Sequence, residues 1–334
     1  VFLTKFESDN SSVQRVKHRS PIIVVDSTSQ ISIDTGPLQF TVSKEQFNLI
    51  ENVVINNIEI LLDNTNHVIF TDKSNNKKYD KDRQDVKVVL EEHNDLRTVI
   101  RAESRSSFNN GHMRGFAVRI YAYAGKEYVK IDYQLQNSPI DAQFAGPLYF
   151  ESLDLNFNVA IEGKRKTRVG LDSGHVYTTL SADDVSLKQI SHDEFLLKVG
   201  EKPLTAGSQP TGFISVSGQN VGVMATTKNF WQMWPNGLAI TSNNTLQVEL
   251  FPDWSAQWHD QQVSPTGLYW LDDMQHVYKE ALFYFHSADA TDEHLTDIAQ
   301  TFAFPPVGSI APAWYAETKA TLDLGGYVSA NIPV

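Results

Sequence analysis

A run of aromatic residues is the first feature of this sequence that could carry chemistry. Two tryptophans, a phenylalanine and a methionine occur within five residues, and Trp231 and Trp234 follow Lys228 and Asn229. Flat aromatic rings beside amide and charged groups suit a sugar, whose ring has an apolar C–H face and a polar edge. The alternative is that both rings belong to a core that closes one end of a β-sandwich, because large aromatic residues dominate protein interiors.

The residues after this run predict a turn and then a second aromatic group. The segment 235–237 is Pro-Asn-Gly, in which proline fixes φ and the next two residues tolerate positive φ. Trp258 and His259 come later and join the predicted substrate-binding set. His259 and Asp260 are either an oriented acid–base pair or part of an ordinary loop.

The composition limits the classes of function. The chain has 334 residues, 41% hydrophobic and 20% charged, which is typical of a globular protein with one large or two ordinary domains. A formal net charge of −12 argues against nucleic acid as a partner, since that needs a basic face, but a local basic cluster is enough for an acidic sugar. No apolar run approaches the ~18 residues of a membrane span, so no membrane partner is predicted.

The ends of the chain and its lack of cysteine bear on processing and compartment. The absence of cysteine excludes disulfides and thiolate zinc sites, but it is compatible with secreted, periplasmic and cytoplasmic proteins. The sequence begins at Val1 without a methionine, so we expect a trimmed or processed piece of a longer product.

Alternation of apolar and polar residues, the period of a half-buried strand, recurs along most of the chain. The clearest example is an antiparallel hairpin, with strands at 116–123 and 129–135 joined by a turn that contains Gly125. Further strands are predicted at 22–25, 31–33, 38–42, 53–55, 58–62, 86–90, 98–102, 153–159, 168–171, 195–199, 212–216, 221–225, 238–240 and 246–251.

Three segments depart from this pattern. Residues 289–302 have apolar residues at helical spacing after a cap at Thr291, and they predict the one late α-helix. Residues 279–285 fit either a strand or a short helix. The charged segment 72–85 predicts an exposed loop. Many short strands and a single helix predict an all-β protein of stacked antiparallel sheets.

Five stretches, in order along the chain, together resemble a known family. They are residues 33–40, 97–103, 118–129, 230–237 and 314–316. They look like the exo-rhamnogalacturonan lyase family, which also contains YetA-like bacterial proteins, and the resemblance runs from about residue 20 to about residue 325. Members of that family carry an N-terminal RIFT-type β-barrel, a central β-sandwich and a C-terminal α/α toroid.

The resemblance implies two domains and a function. Residues 1–105 would be the C-terminal part of the barrel domain, and residues 106–334 would be the central, supersandwich-like β-sandwich without the toroid. The chain would then be a portion of a polysaccharide lyase. The implied ligand is a uronate-containing poly- or oligosaccharide such as rhamnogalacturonan or ulvan, the implied partner is a missing toroid domain, and the implied location is secreted or periplasmic.

A lyase of this kind removes the C5 proton of a uronic acid and expels the 4-O substituent. It therefore needs a group that neutralises the carboxylate, a base and an acid. His276 is the first candidate for the base. Arg119 and Tyr121 share one strand face and would present a guanidinium and a phenol, while Lys228 and Asn229 are placed to meet a carboxylate. The alternatives are a solvated histidine and a strand face with no ligand.

No cofactor is predicted, and calcium stays open. Asp272, Asp273 and His276 offer hard ligands, but no loop has calcium-binding spacing. No phosphate loop, Gly-x-Ser-x-Gly elbow or His-Glu-x-x-His motif occurs. Two alternatives to the lyase remain: a non-catalytic carbohydrate-binding or structural β-sandwich module, and a glycoside hydrolase, which would need a carboxylate pair that no single stretch supplies.

Overall fold

The computed structural model describes residues 21–62, 66–104, 114–137, 146–253 and 267–305. Within these ranges the chain forms antiparallel strands and one α-helix, so the predicted all-β sandwich is confirmed. The strands are β1 (Ile23–Asp26), β2 (Gln30–Asp34), β3 (Leu38–Ser43), β4 (Glu51–Ile55), β5 (Ile58–Glu59), β6 (His67–Asp72), β7 (Lys77–Tyr79), β8 (Lys87–His93), β9 (Arg97–Ser104), β10 (Arg114–Tyr123), β11 (Tyr128–Asn137), β12 (Leu148–Asn158), β13 (Lys166–Gly170), β14 (Val176–Thr179), β15 (Val185–Ser191), β16 (Glu194–Val199), β17 (Lys202–Gly207), β18 (Phe213–Ser217), β19 (Val221–Thr227), β20 (Asn236–Ile240), β21 (Thr245–Phe251), β22 (Tyr269–Leu271) and β23 (His276–Ser287).

Two large sheets make the body of the molecule. Sheet one has the order β14-β13-β18-β19-β23-β11-β10-β9-β8. Sheet two has the order β17-β16-β15-β20-β21-β12-β6-β7, with β22 paired to β12. The first five strands form a third, smaller sheet in sequential order.

The two large sheets pack face to face around a common core. The ring centroids of Phe157 on β12 and Phe283 on β23 are 4.5 Å apart, which joins the two inner faces. On β11 the buried residues Val129 and Ile131 alternate with the partly exposed Lys130, as a strand with one solvated face requires. The outer face of each sheet is therefore the place where polar side chains collect.

The predicted hairpin is confirmed as β10 and β11, and the ambiguous segment 279–285 is part of the long strand β23. β17 escaped prediction because nearly all of its residues are exposed at the edge of sheet two, so it lacks the alternation that marks a half-buried strand.

The single helix, α1 (Asp292–Ala303), begins three residues later than predicted. Thr291 is its N-cap, since its side-chain oxygen accepts a hydrogen bond from the backbone N–H of His294 at 3.2 Å. Leu295 and Ala299 are fully buried in a small cluster with Phe213, Met224 and Tyr284 on the outer face of sheet one. The helix therefore covers one end of that face.

The prediction of an exposed loop over 72–85 is wrong in its second half. The segment holds β7 and a short 3₁₀ turn at 80–82, and Asp80 has no solvent exposure. The Tyr133 hydroxyl donates a 2.6 Å hydrogen bond to the Asp80 carboxylate, and Arg114 forms an ion pair with it. These buried partners, 34 and 53 residues away along the chain, could not be found from the local charge pattern.

Sheet one continues past residue 105, where the sequence suggested a domain boundary. β8 and β9 precede that position, and β9 pairs with β10 from Phe116↔Ser104 to Tyr123↔Arg97. No helix among the described residues is long and apolar enough to cross a membrane.

Candidate functional site

Four charged side chains from distant parts of the chain lie side by side on the outer face of sheet one. The register places Arg119 opposite Asp132, and Asp132 opposite Glu280. Lys228 completes the series, because its backbone N–H donates to the Glu280 carbonyl at 2.9 Å. We call Arg119, Asp132, Glu280 and Lys228 the charged row. Tyr121 lies two residues from Arg119 on the same face of β10. This face therefore brings together three of the residues predicted from the sequence: Arg119, Tyr121 and Lys228.

Lys130 lies at the centre of this face and links the row to Tyr121. Its ammonium nitrogen is 3.0 Å from both the Asp132 and the Glu280 carboxylates and 4.1 Å from the centroid of the Tyr121 ring. Burial, followed by the nearby Asp132 carboxylate, raises the pKa of Tyr121 to about 12. The Tyr121 phenol is therefore protonated at neutral pH and can donate a hydrogen bond.

The cations of this face are matched by acids. Arg119 makes a two-pronged contact with Glu91, with nitrogen–oxygen distances of 2.6 and 3.0 Å, and Lys228 lies 2.9 Å from Glu280. Burial opposes ionisation of Glu280, but hydrogen bonds from Lys228 and Lys130 outweigh it and lower the pKa of Glu280. An acidic ligand would have to compete for cations that are already paired. Arg119 and Lys228 are similarly accessible, with 37% and 32% of their side chains exposed. Arg119 is held by two contacts to Glu91, whereas Lys228 contacts one oxygen of Glu280.

His276, the predicted base, lies on the same face but away from the row. It is exposed and pairs with Gln136 at the start of β23, four residues before Glu280. Four residues of strand span roughly 13 Å, so His276 does not lie beside Tyr121 and Lys130.

The loop between β19 and β20, residues 228–235, is held in place by hydrogen bonds from the buried side chain of Lys279. The Lys279 ammonium donates to the carbonyl oxygens of Met233 at 3.2 Å and Pro235 at 2.8 Å, and to the side-chain oxygen of Asn236 at 2.8 Å. It also lies 4.4 Å from the centroid of the Phe251 ring. The loop that carries Trp231 is thus held to the sandwich by specific contacts.

Trp231 and Trp234 are both half-buried, so neither is sealed in the core. Trp231 lines a pocket of about 220 Å³ that four segments build: residues 173–174, 209–211, 230–232 and the end of α1. Its polar groups are the side chains of Gln209, Gln232, Gln300, Ser173 and Thr211.

A glycine makes this pocket possible. Gly212 has a φ of +75°, and a Cβ at this position would lie 2.5 Å from the Phe230 ring. The absence of a side chain lets Phe230 seat against the backbone at 2% exposure, where it forms part of the pocket wall.

The predicted turn at 235–237 is wrong, because two of its three residues belong to a strand. That strand lies beside a groove that was not predicted from the sequence. Asn236 and Gly237 lie inside β20, and neither has a positive φ. Gly237 leaves room for Glu249 on the neighbouring strand, because a Cβ at position 237 would lie 1.9 Å from the Glu249 carboxylate oxygen where it now stands. Lys188, on the other side of Gly237, reaches across it to 3.1 Å from Glu249.

The missed site is a groove of about 770 Å³ on the outer face of sheet two. Its lining includes Lys188, Glu249 and Asp253, and Asp154 on β12 is the direct cross-strand neighbour of Glu249. Burial, followed by the adjacent Glu249 carboxylate, raises the pKa of Asp154 well above its ordinary value. A carboxylate pair thus exists, but its members are 95 positions apart in the sequence and no local motif marks them.

The predicted metal ligands do not cluster, and two of the predicted aromatic-site residues are not described. Trp258 and His259 lie outside the described residues. Among the residues that are described, no group of three or more His, Asp or Glu side chains could hold a metal ion, and Asp272, Asp273 and His276 do not form such a group.

Comparison with known families agrees with the fold. Residues 22–177 match the family model described as the PcRGLX-like protein central beta sandwich domain, which is rhamnogalacturonan lyase-like. The matched segment is slightly less than half of the chain, and it contains both strands that carry Arg119, Tyr121 and Lys130. No curated protein matches the sequence.

Solved structures match the chain at low identity and with TM-scores below 0.5. A TPR-domain containing protein from Parabacteroides distasonis is 6% identical with a TM-score of 0.49, and the match covers 84% of this chain and 49% of that one. An α-mannosidase from Enterococcus faecalis is 9% identical with a TM-score of 0.48, covering 86% and 33%. A putative aldose 1-epimerase from Klebsiella pneumoniae is 11% identical with a TM-score of 0.47, covering 85% and 87%. The chain spans about half of the first protein, and these values support no functional conclusion.

Proposed function

We propose that this chain is the central β-sandwich of a polysaccharide lyase that cleaves uronate-containing polysaccharide by β-elimination. One observation carries the proposal: a protonated phenol, Tyr121, and an ammonium, Lys130, are in contact on a sheet face that Arg119 and Lys228 flank. The match of residues 22–177 to a rhamnogalacturonan lyase-like sandwich supports it.

Each group has a role that its environment suits. Lys228, which contacts one carboxylate oxygen where Arg119 is held by two, pairs with the uronate carboxylate and so makes the C5 proton more acidic. Tyr121, whose phenol is protonated at neutral pH, donates a proton to the departing 4-oxygen. The base belongs to the opposite wall of the cleft, because His276 is too far along β23 to reach the same sugar. In this proposal the opposite wall is a toroid domain. Without that domain, this chain binds substrate but does not cleave it.

Binding to this chain is the first test. Titration with rhamnogalacturonan and ulvan oligosaccharides should show binding that Lys228→Met weakens about tenfold, as loss of one charge-assisted contact predicts. The matched control is Lys202→Met, an exposed lysine on β17 of the other sheet. The proposal fails if neither glycan binds, or if the two lysine variants bind equally well.

Elimination by the native gene product is the second test. The unsaturated uronate product absorbs in the ultraviolet, so turnover is followed directly. Tyr121→Phe should lower the rate by about 10²–10⁴-fold, the usual contribution of one acid catalyst. Tyr79→Phe on sheet two is the control.

A non-catalytic carbohydrate-binding module is the second candidate function. The matched charges favour it, because Arg119, Lys130 and Lys228 on this face each already have a carboxylate partner. Glycan binding by the native product without any rise in ultraviolet absorbance would establish this reading over the lyase.

A further inference from the structure

The pocket at Trp231 differs in character from the charged row. All eleven residues that line it are uncharged. Its surface combines the aromatic rings of Trp231 and Phe304 with the amides of Gln209, Gln232 and Gln300. Phe304 is 62% exposed at the rim, where an apolar ring has no partner among the described residues to cover it.

We infer that this pocket binds one uncharged sugar ring, a neutral hexopyranose unit, and that it discriminates against uronic acids. An aromatic face packs against the C–H side of a pyranose, and neutral amides can donate and accept hydrogen bonds along its hydroxyl edge. A carboxylate would lose its hydration without meeting a cation, and such burial is costly.

The size of the pocket agrees with a single ring. A volume of about 220 Å³ is below the ~300–1,000 Å³ typical of pockets for drug-sized ligands. The walls are also fixed in place: Gly212 admits Phe230, and the Lys279 ammonium holds the loop through Met233 and Pro235. Because the walls of this pocket are already ordered, little conformational entropy is lost when a ligand binds.

The pocket begins close to the charged row. Trp231 is three residues after Lys228, so their Cα atoms are at most about 11 Å apart. One glycan chain could therefore place a uronate at Lys228 and a neutral sugar at Trp231; this joint occupation rests on the proposed function, whereas the pocket itself does not.

The test compares sugars that differ in a single group. The binding of methyl galactoside and methyl glucoside is compared with that of methyl galacturonoside and methyl glucuronoside, by calorimetry and saturation-transfer NMR with the full chain. A neutral glycoside should bind with a Kd on the order of 1 mM, the scale expected for about a dozen non-hydrogen atoms. In Lys228→Met, which lacks the cation proposed to bind a uronate, the corresponding uronate should bind at least tenfold more weakly.

Two variants locate the binding. Trp231→Leu should weaken neutral sugar binding at least tenfold, whereas Trp270→Leu, which removes an exposed tryptophan on β22, should leave it unchanged. Gln300→Lys, at an exposed position in the last turn of α1, adds a cation to the pocket and should gain uronate binding. Glu293→Lys, two turns earlier on the same helix, should not.

The inference is overturned if no neutral glycoside binds, if uronates bind Lys228→Met as well as neutral sugars do, or if Trp231→Leu binds neutral sugars like the native chain. Its failure is distinguishable from failure of the proposed function. Tyr121→Phe should lose elimination and keep neutral sugar binding. Trp231→Leu should lose neutral sugar binding, so the two sites are tested separately.

Discussion

Lys279 is a buried ammonium whose three hydrogen-bond acceptors are all uncharged. Burial lowers its pKa from 10.5 to about 7. Between these two values the unfolded chain holds a proton that the folded chain has released, so the free energy of unfolding should rise with pH from about 7 to about 10. The slope for one such group approaches about 1.4 kcal/mol per pH unit. Below pH 7 Lys279 is protonated in both the folded and the unfolded chain, so burial of its charge destabilises the folded state to the full extent.

Lys279→Met should abolish this rise, and urea unfolding of native and variant chains from pH 6 to pH 10 measures it. Comparison of the two proteins removes the contribution of tyrosines that titrate above pH 10. Lys202→Met, at an exposed edge, should retain the native slope. Equal slopes in the native protein and Lys279→Met would contradict the assignment.

At the scale of the element, α1 connects stability to the sugar pocket. Leu295 is fully buried against the outer face of sheet one, and Gln300, one and a half turns later, lines the pocket. Leu295→Ala should lower the free energy of unfolding by about 2–5 kcal/mol, through lost transfer energy and the cavity left behind. Urea unfolding measures this loss, and neutral sugar binding should weaken with it because the helix end forms one wall.

The matched control for this helix is Asp297→Ala, at an exposed position two residues further on. It should change stability by no more than about 0.5 kcal/mol. A similar loss in both variants would mean that the helix contributes through its propensity and not through its packing.

At the scale of the whole molecule, a buried ionic cluster ties the two large sheets together. Asp80 follows β7 of sheet two, and its partners Arg114 and Tyr133 lie on β10 and β11 of sheet one. The Arg114 guanidinium also lies 4.4 Å from the centroid of the Phe70 ring on sheet two. Burial, followed by the Asp80 charge, raises the pKa of Tyr133 well above its ordinary value, which keeps the phenol protonated as a donor.

Asp80→Asn should destabilise the protein by about 3–5 kcal/mol, because it leaves Arg114 buried without its carboxylate. Asp82→Asn, exposed on the same 3₁₀ turn, should have little effect. Chemical unfolding compares the two. If they lower stability equally, the buried pair does not hold the sheets together.

The sequence by itself determined the local structure. Alternation of apolar and polar residues located the β10–β11 hairpin, because one inward face must be apolar and the side-chain period of a strand is two. The cap at Thr291 and the helical spacing after it located α1. The same pattern placed Arg119 and Tyr121 on one strand face, and the aromatic run singled out Trp231, which the structure places at a pocket.

Only the tertiary structure decided which of these segments meet. Glu280 joins Tyr121 through Lys130, which is 150 residues from Glu280 in the sequence, and strand pairing brings Asp154 beside Glu249. The burial of Asp80 and the space that Gly237 leaves for Glu249 have no local signature either. The physical reason is that side-chain alternation is a property of one segment. The choice of neighbouring strand depends instead on how all segments together bury their apolar faces and satisfy their backbone hydrogen bonds.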